Sequence, residues 1–226
     1  MHTRLHSIPI IALFILLSGC KRLPEAPETL EEITNYLFEH FDDEDPLALE
    51  AGLINLDDWL ETDMEQANVG YKVDDLSPEA IESLEGTNLA LDEQVGVAVA
   101  YDVEYDTQDV VNTLVMVGSD QLYPDNFENF QRDFLIEPYC FTEHSCDLTR
   151  WEASSQTSYP LNIKVTTSGR TEYRWVEMED GFAAVTRNWM ITPADVSVDW
   201  FELEQQYALS ALINRNGSTR KLDAGW

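Results

Sequence analysis

The chain has 226 residues and a formal net charge of −30 at pH 7, and 44% of its residues are hydrophobic. Six tryptophans and an aromatic content of 11% provide enough apolar surface for a folded core, which excludes a disordered stalk. The charge excludes the basic surface typical of nucleic-acid-binding proteins, and it opposes electrostatic adhesion to anionic lipid. We therefore expect a folded acidic protein that does not bind nucleic acid.

The first twenty residues have the order of an export signal. Arg4 precedes an apolar run from Ile8 to Leu17, which has roughly half the length that a membrane-spanning helix needs. Two small residues and Cys20 follow, and the ending Leu-Ser-Gly-Cys resembles the lipobox of bacterial lipoproteins. The alternative is an ordinary signal peptide in which the cysteine is coincidental.

The lipobox resemblance implies an anchor and a location. In that family the signal is removed and the cysteine, here Cys20, carries lipid, so residues 1–19 are the expected signal peptide and the membrane is the expected partner. Lys21 rather than an aspartate follows the cysteine. By resemblance to Gram-negative sorting, this implies the outer membrane, on its periplasmic or outer side. In a Gram-positive host the same anchor implies the outer face of the plasma membrane.

Composition divides the rest of the chain into a tether and a domain. Residues 20–28 contain prolines and lack apolar periodicity, so they are predicted to form an extended tether. Residues 29–226 are predicted to form a single α+β domain, with an acidic helical part at 29–90 and a strand-rich part at 95–226. We expect N-terminal helices packed on a curved antiparallel sheet.

Capping signals and periodicity predict the elements of the first half. Helices are expected to begin near Thr29, at Asp45-Pro46 and at Ser77-Pro78. Alternating valines predict a strand from Val95 to about Tyr105. Residues 107–117 fit a helix or a second strand, and the helix is favoured because the alternation breaks there. Residues 125–134 are predicted to be helical, with three phenylalanines on one side.

The second half reads as an antiparallel meander with one face on the core. Turns are predicted at Ser168-Gly169, at residues 179–181 and at Asn216-Gly217, where a two-residue hairpin is expected. The predicted strands are Leu161–Val165, Arg170–Met178, Phe182–Ile191, Val198–Ile213 and Ser218–Trp226.

Two cysteines remain beyond the predicted lipid site. Cys140 and Cys146 are close in sequence, and an exported protein is found in an oxidising compartment, so we expect them to form a disulfide. The competing interpretation is a metal site that includes His144, which lies between them. A closed zinc site needs four ligands and only three are local, so the disulfide is favoured.

Missing motifs argue against catalysis. Beyond the signal the histidines are His40 and His144, and the sequence has no nucleophile elbow, phosphate-binding loop or zinc-protease motif. Carboxylates are so abundant that no pair stands out as an acid–base couple. Asp102, Glu104 and Asp106 alternate along the predicted strand and suit calcium, but a solvated strand face is the more common arrangement. We expect no cofactor, no metal and no enzymatic activity.

The aromatic residues of the meander are candidates for ligand binding. Tyr173 and Trp175 have the same parity in one predicted strand, so their side chains point to the same face, which we expect to be buried. Trp189 lies on the next predicted strand. These three side chains suit the lining of an apolar pocket, although aromatic residues in a sheet more often belong to the core.

The order of elements from Val95 to Trp226 resembles the START-like, helix-grip proteins. The resemblance falls on Tyr173-Arg174-Trp175-Val176, the Asp180-Gly181 turn and the strand from Val185 to Trp189. It implies a protein that encloses an apolar ligand. The family's long C-terminal helix has no counterpart before Trp226. Either the chain continues further, or the N-terminal helices cover the sheet, or the fold is a different one.

Three functional hypotheses follow. The first is a non-enzymatic envelope lipoprotein with a binding or structural role, whose partner is a protein or an apolar ligand. The second is a START-like carrier of an apolar ligand, and the third is a carboxylate-dependent hydrolase. An internal apolar cavity favours the second, and a cleft with two facing acids, one of them desolvated, favours the third.

Overall fold

The computed structural model describes residues 22–85 and 94–226. The predicted signal peptide and Cys20 lie outside these residues. Across the described ranges, no helix combines the length and the apolar character that crossing a membrane requires.

Helices and one antiparallel sheet make up the described chain, so the α+β prediction is confirmed. The helices are α1 (Leu30–Glu39), α2 (Leu47–Ala67), α3 (Pro78–Glu82), α4 (Thr107–Met116), α5 (Ser119–Leu122) and α6 (Pro138–Thr142). The strands are β1 (Tyr71–Val73), β2 (Gly96–Val103), β3 (Asn129–Ile136), β4 (Leu148–Tyr159), β5 (Ile163–Met178), β6 (Gly181–Val196), β7 (Tyr207–Asn214) and β8 (Thr219–Gly225). Within the described residues the sheet has the order β1-β2-β8-β7-β6-β5-β4-β3.

Side-chain caps fix where several helices begin. Ser77 Oγ accepts a hydrogen bond from the backbone N–H of Ala80 at 3.0 Å, which starts α3 as predicted. Asp106 caps α4 by accepting from the N–H of Gln108 at 2.9 Å, and the predicted helix over 107–117 is confirmed. These bonds satisfy backbone donors that have no partner inside the helix.

The N-terminal helices cover one face of the sheet, which we call the front face. Leucines, an isoleucine and a phenylalanine of α1 and α2 pack on small residues of β2, β7 and β8 in one buried cluster. Small strand residues such as Ala98, Ala100 and Ala211 leave room for the helices to approach closely. The front face therefore forms a filled hydrophobic core.

A buried ion-pair network holds the short turn after α1 on the front face. Glu172 of β5 is 1% exposed and accepts a hydrogen bond from Arg187 Nε at 2.6 Å. Arg187 also bonds Asp42 in that turn, and Arg174 Nη1 donates to the carbonyl oxygen of Phe41 at 2.6 Å. Because these charges are buried and paired, loss of either partner would leave an uncompensated charge in the core.

The opposite face, which we call the back face, is covered by α4 and α6. Tyr173 and Trp175 lie on it and are only 8% and 4% exposed, so the prediction that their shared face is buried is confirmed. The predicted disulfide between Cys140 and Cys146 is present, with a Cα–Cα distance of 5.3 Å. It closes the short loop that begins in α6.

The prediction of a helix over 125–134 is wrong. Asn129–Ile136 is the edge strand β3, which pairs with β4, a strand that the sequence analysis did not assign. Phe130 and Phe134 are four residues apart, a spacing that places two side chains on the same side of a helix and also on the same face of a strand. The spacing alone could not decide between the two.

Three boundaries in the predicted meander are also wrong. Ser168-Gly169 is not a turn but lies inside β5, where the pairing with β6 shifts at a bulge. A Cβ at Gly169 would lie 3.0 Å from the carbonyl oxygen of Trp189, so the glycine permits close approach of the strands. Strand β6 continues past Pro193, and β7 begins at Tyr207.

The hairpin prediction at Asn216-Gly217 is confirmed. Both residues have positive φ angles, 53° and 97°, between β7 and β8. This is the conformation for which asparagine and glycine are suited in a two-residue turn.

Replacement of Trp175 tests whether the back face is a true core. Trp175→Ala removes a buried ring and should lower the free energy of unfolding by about 3–5 kcal/mol, measured by chemical denaturation. The matched control is Trp200→Ala, whose ring is 71% exposed and whose loss should change stability by less than about 0.5 kcal/mol. Equal effects of the two substitutions would contradict the assignment.

Candidate functional site

A cavity of about 330 Å³ lies on the back face, beside α4. Its floor is the central sheet, β4 to β7, and its roof comes from α4, α5 and the segment that leads into β3. This volume is at the lower end of the range found for small-molecule pockets.

The roof of the cavity is apolar. It is formed by residues whose side chains are aliphatic or aromatic: Leu114, Leu122, Tyr123, Phe127 and Phe130. The rings of Phe127 and Phe130 are in contact, with centroids 5.6 Å apart. This wall offers hydrocarbon and ring faces to a ligand.

The floor of the cavity carries uncharged polar side chains. Asn188 Nδ2 donates to Thr171 Oγ1 at 2.6 Å, which links β6 to β5. Ser155 Oγ and Thr167 Oγ1 are 3.0 Å apart and link β4 to β5. Because these residues alternate with front-face residues along their strands, they all point to the cavity.

Stacked aromatic rings close one end of the cavity. The rings of Trp151 and Tyr173 are 5.3 Å apart and tilted by 20°. Burial raises the pKa of Tyr173 to about 12, so its phenol is neutral at physiological pH. This end therefore contributes ring surface and a hydroxyl group but no charge.

Arg132 of β3 ties the roof to the sheet. Its Nη1 and Nη2 donate to the carbonyl oxygens of Val115 and Met116, at 2.8 and 3.2 Å. The guanidinium carbon lies 4.7 Å from the ring centre of Phe134 and 5.2 Å from that of Trp151. The C-terminal end of α4 is thus held by charge-assisted bonds, which suit helix carbonyls that lack an intrahelical partner.

The structure separates the three aromatic residues singled out in the sequence. Tyr173 lines the cavity. Trp175 lies beyond the closed end, where its ring stacks on Phe141 at 5.1 Å and its Nε1 donates to the carbonyl oxygen of that residue at 2.9 Å. Trp189 lies on the front face and donates to the carbonyl oxygen of Glu85 at 3.0 Å. Tyr173 is therefore the one member of this set that borders the cavity.

Sequence reasoning missed the roof and the polar floor. The spacing of Phe127 and Phe130 predicts one side of a helix, whereas Phe130 lies in strand β3. The floor had no clear signal, because Thr186, Arg187 and Asn188 form a continuous polar run in β6 and not an alternation that assigns the polar residues to one face.

The residues considered for metal binding are not assembled into a site. Among the described residues, no group of three or more His, Cys, Asp or Glu side chains is close enough to hold a metal ion. His40 Nδ1 lies 2.8 Å from Asp43 Oδ2, and Asp102 accepts from Arg220 Nε at 3.2 Å. His144 contacts Gln108 of α4 and its ring lies 4.5 Å from that of Trp175.

A second pocket, of about 380 Å³, lies near the β5–β6 and β7–β8 turns and contains acidic residues. Burial raises the pKa of Asp57 there, against the opposing effects of Arg215 and Arg220. Arg215 Nη2 lies 2.5 Å from Asp57, and its Nη1 lies 2.7 Å from Glu61. These contacts bridge α2 to the end of the sheet, so the desolvated carboxylate already has a structural partner.

Neither a protein-family model nor a curated protein sequence matches this chain. Among solved structures, the chain is similar to the STAR-related lipid transfer protein, fragment 25–204, from Xanthomonas axonopodis. The identity is 10%, the TM-score is 0.42, and the match covers 70% of this chain and 74% of that chain. A TM-score this low does not establish a common fold, so the functional assignment rests on the cavity.

The partial burial of His144 leads us to expect that the stability of the protein depends on pH. Burial lowers the pKa of His144 below its usual value of 6.5, so the folded protein keeps this ring neutral while the unfolded chain takes up a proton. The contribution of His144 is therefore present above pH 6.5 and is lost as the pH falls through 6.5 towards the folded pKa.

Melting curves at pH 7.5 and 5.5 test this dependence. The melting temperature should fall on acidification, and His144→Asn should reduce the fall, since asparagine tolerates the positive φ of 54° at this position. An equal fall in the variant and the parent protein would show that other groups cause the effect.

Proposed function

We propose that this protein binds an apolar small molecule in the back-face cavity and acts as a non-enzymatic carrier or receptor held at a membrane. The observation that supports this most directly is the cavity itself, about 330 Å³ in volume and roofed by aliphatic and aromatic side chains. A molecule with a matching apolar surface would gain the contacts that these side chains otherwise lack.

The contrast between the two faces supports a binding role for the cavity. Protein interiors are close-packed and contain few voids larger than a water molecule. The front face follows this rule, because leucines fill the space above strand alanines. The back face departs from it with an open pocket that has room for roughly ten waters at about 30 Å³ each. A pocket of this volume bordered by aromatic side chains fits a small-molecule site.

The chemistry of the lining favours binding over catalysis. Among the described residues that border the cavity, the titratable groups are the phenols of Tyr123 and Tyr173. Burial raises the pKa of Tyr173 to about 12, which makes its phenol a poor base near neutral pH. The carboxylate-dependent hydrolase is not favoured, since the desolvated Asp57 lies in the other pocket and is held by Arg215.

Lipid attachment at Cys20 is part of the proposal, with the outer membrane as the compartment. A few residues after the predicted anchor the chain lies against α2, where Asn55 Nδ2 donates to the carbonyl oxygens of Ala26 and Pro27 at 3.0 and 2.8 Å. Leu23 borders the acidic pocket at the same end of the sheet. The short stretch from Cys20 to Leu23 spans at most about 10 Å, which would keep the domain close to the bilayer.

Filling the cavity tests the binding function. The neutral apolar dye N-phenyl-1-naphthylamine should become fluorescent when it enters the cavity. Ala208→Phe, which places a ring in the floor, should weaken dye binding by more than about tenfold, since the void is occupied. Val97→Phe is the control, because Val97 is exposed on a strand outside the cavity lining. Unchanged binding in Ala208→Phe, or no binding by the parent protein, would refute the proposed function.

Replacement of Cys20 tests the anchor. Cys20→Ser should block lipid attachment and move the protein from the membrane pellet to the soluble fraction, because the remaining chain carries a strong negative charge. Cys140→Ser with Cys146→Ser is the matched control and should stay in the pellet. Processing and membrane association that survive Cys20→Ser would show that the lipobox assignment is wrong.

A further inference from the structure

We propose that the cavity selects an uncharged ligand that carries a hydroxyl or amide group, and that this polar group is bound at the floor by Asn188 and Thr171. The inference rests on the proposed function and specifies its ligand class. Two observations support it. The side chains that line the cavity are uncharged, and the two walls of the cavity differ in chemistry.

The lining contains no charged side chain among the described residues that border the cavity. This contrasts with the whole chain, in which 25% of the residues are charged and the net charge is −30. An ionised group transferred from water into such a site loses hydration and finds no counter-ion. The net charge adds a field that repels anions. Carboxylate and phosphate ligands are therefore disfavoured.

The charged groups behind the lining are already engaged. Lys221 Nζ lies 2.7 Å from Asp223, whose other carboxylate oxygen accepts from Ser210 of the floor at 2.5 Å. Arg132 donates to the carbonyl oxygens at the end of α4 and lies over aromatic rings. Lys221 and Asp223 neutralise each other, and the N–H groups of Arg132 point to helix carbonyls, so none of these three groups belongs to the lining as a direct counter-ion for a ligand.

The two walls differ in what they offer a ligand. The roof presents hydrocarbon and ring surface, whereas the floor presents hydroxyl and amide groups. Asn188 uses one N–H for Thr171 Oγ1, which leaves its carbonyl oxygen and its second N–H for a ligand. A purely hydrocarbon ligand would cover these groups without replacing their water, which is unfavourable. A neutral ligand with an apolar body and one polar group makes favourable contacts with both the roof and the floor.

Matched ten-carbon probes test the charge selection. Decanol, decanoate and decylammonium compete with N-phenyl-1-naphthylamine for the parent protein at pH 7.5, with decanol kept below its solubility limit and the two ions below their micelle concentrations. Decanol should displace the dye at a concentration at least about tenfold lower than either ion. Displacement by decanoate or decylammonium at the same concentration as decanol would overturn the inference while leaving the proposed function intact. Failure of the dye itself to bind would refute the proposed function.

A charge introduced into the floor separates selection by the site from the general preference of apolar pockets for neutral molecules. Ser155→Lys places an ammonium group in the lining and should lower the displacing concentration of decanoate by at least about tenfold, with no such gain for decanol. If decanoate gains nothing from this lysine, the missing counter-ion is not what excludes anions, and the inference is wrong.

Two floor variants test the polar contact. Thr171→Val and Asn188→Leu should each weaken decanol about two- to tenfold, the range expected for one hydrogen bond, with dye binding unchanged. Unchanged dye binding also shows that the variants are folded. If both variants bind decanol as tightly as the parent protein does, Asn188 and Thr171 do not bind the polar group of the ligand.

Discussion

The stacking of Phe141 on Trp175 is the contact on which the back face depends. The disulfide between Cys140 and Cys146 closes the loop that carries Phe141, and the carbonyl oxygen of this residue accepts the indole N–H of Trp175. The adjoining α6 reaches α4 through Gln108, whose Nε2 donates to the carbonyl oxygen of Thr142 at 3.3 Å. The position of α4, and with it the height of the cavity roof, therefore follows from how α6 is fixed to the sheet.

The same strands form both faces of the sheet, but the two faces differ in how tightly they are packed. On the front face, long amphipathic helices and strand alanines allow close packing, and the Glu172–Arg187 pair fixes the turn after α1. On the back face, α4 and the shorter α5 and α6 cover less of the sheet. The strands beneath them carry serine, threonine and asparagine on the cavity side. Because successive side chains of a strand point to opposite faces, alternate residues of β5 and β6 hold the buried Glu172–Arg187 pair on one side and form the cavity floor on the other.

Local signals in the sequence were sufficient for elements that local interactions determine. The cap of α3, the Asn216-Gly217 hairpin and the shared face of Tyr173 and Trp175 each depend on neighbours within a few residues. The remaining features depend on distant pairing. The register of β5 against β6 shifts at a bulge near Ser168, which no local signal marks. Trp189 pairs with Arg170 in the same regular register that pairs Tyr173 with Thr186, so Trp189 and Tyr173 lie on opposite faces of the sheet. The phenylalanines of β3 fit either period, and only the pairing with β4 decides between them.

The distribution of charge links the cavity to the proposed membrane setting. Exposed carboxylates give the domain a strongly negative field, which resists contact with anionic lipid. A lipid on Cys20 and the docked segment at Ala26 and Pro27 would hold the same domain within about 20 Å of a bilayer. The charge repulsion and the lipid anchor act in opposite directions. The domain would therefore remain near the membrane surface without packing its acidic faces against it. A back-face cavity would then stay open to neutral molecules while the surrounding field disfavours anionic lipids.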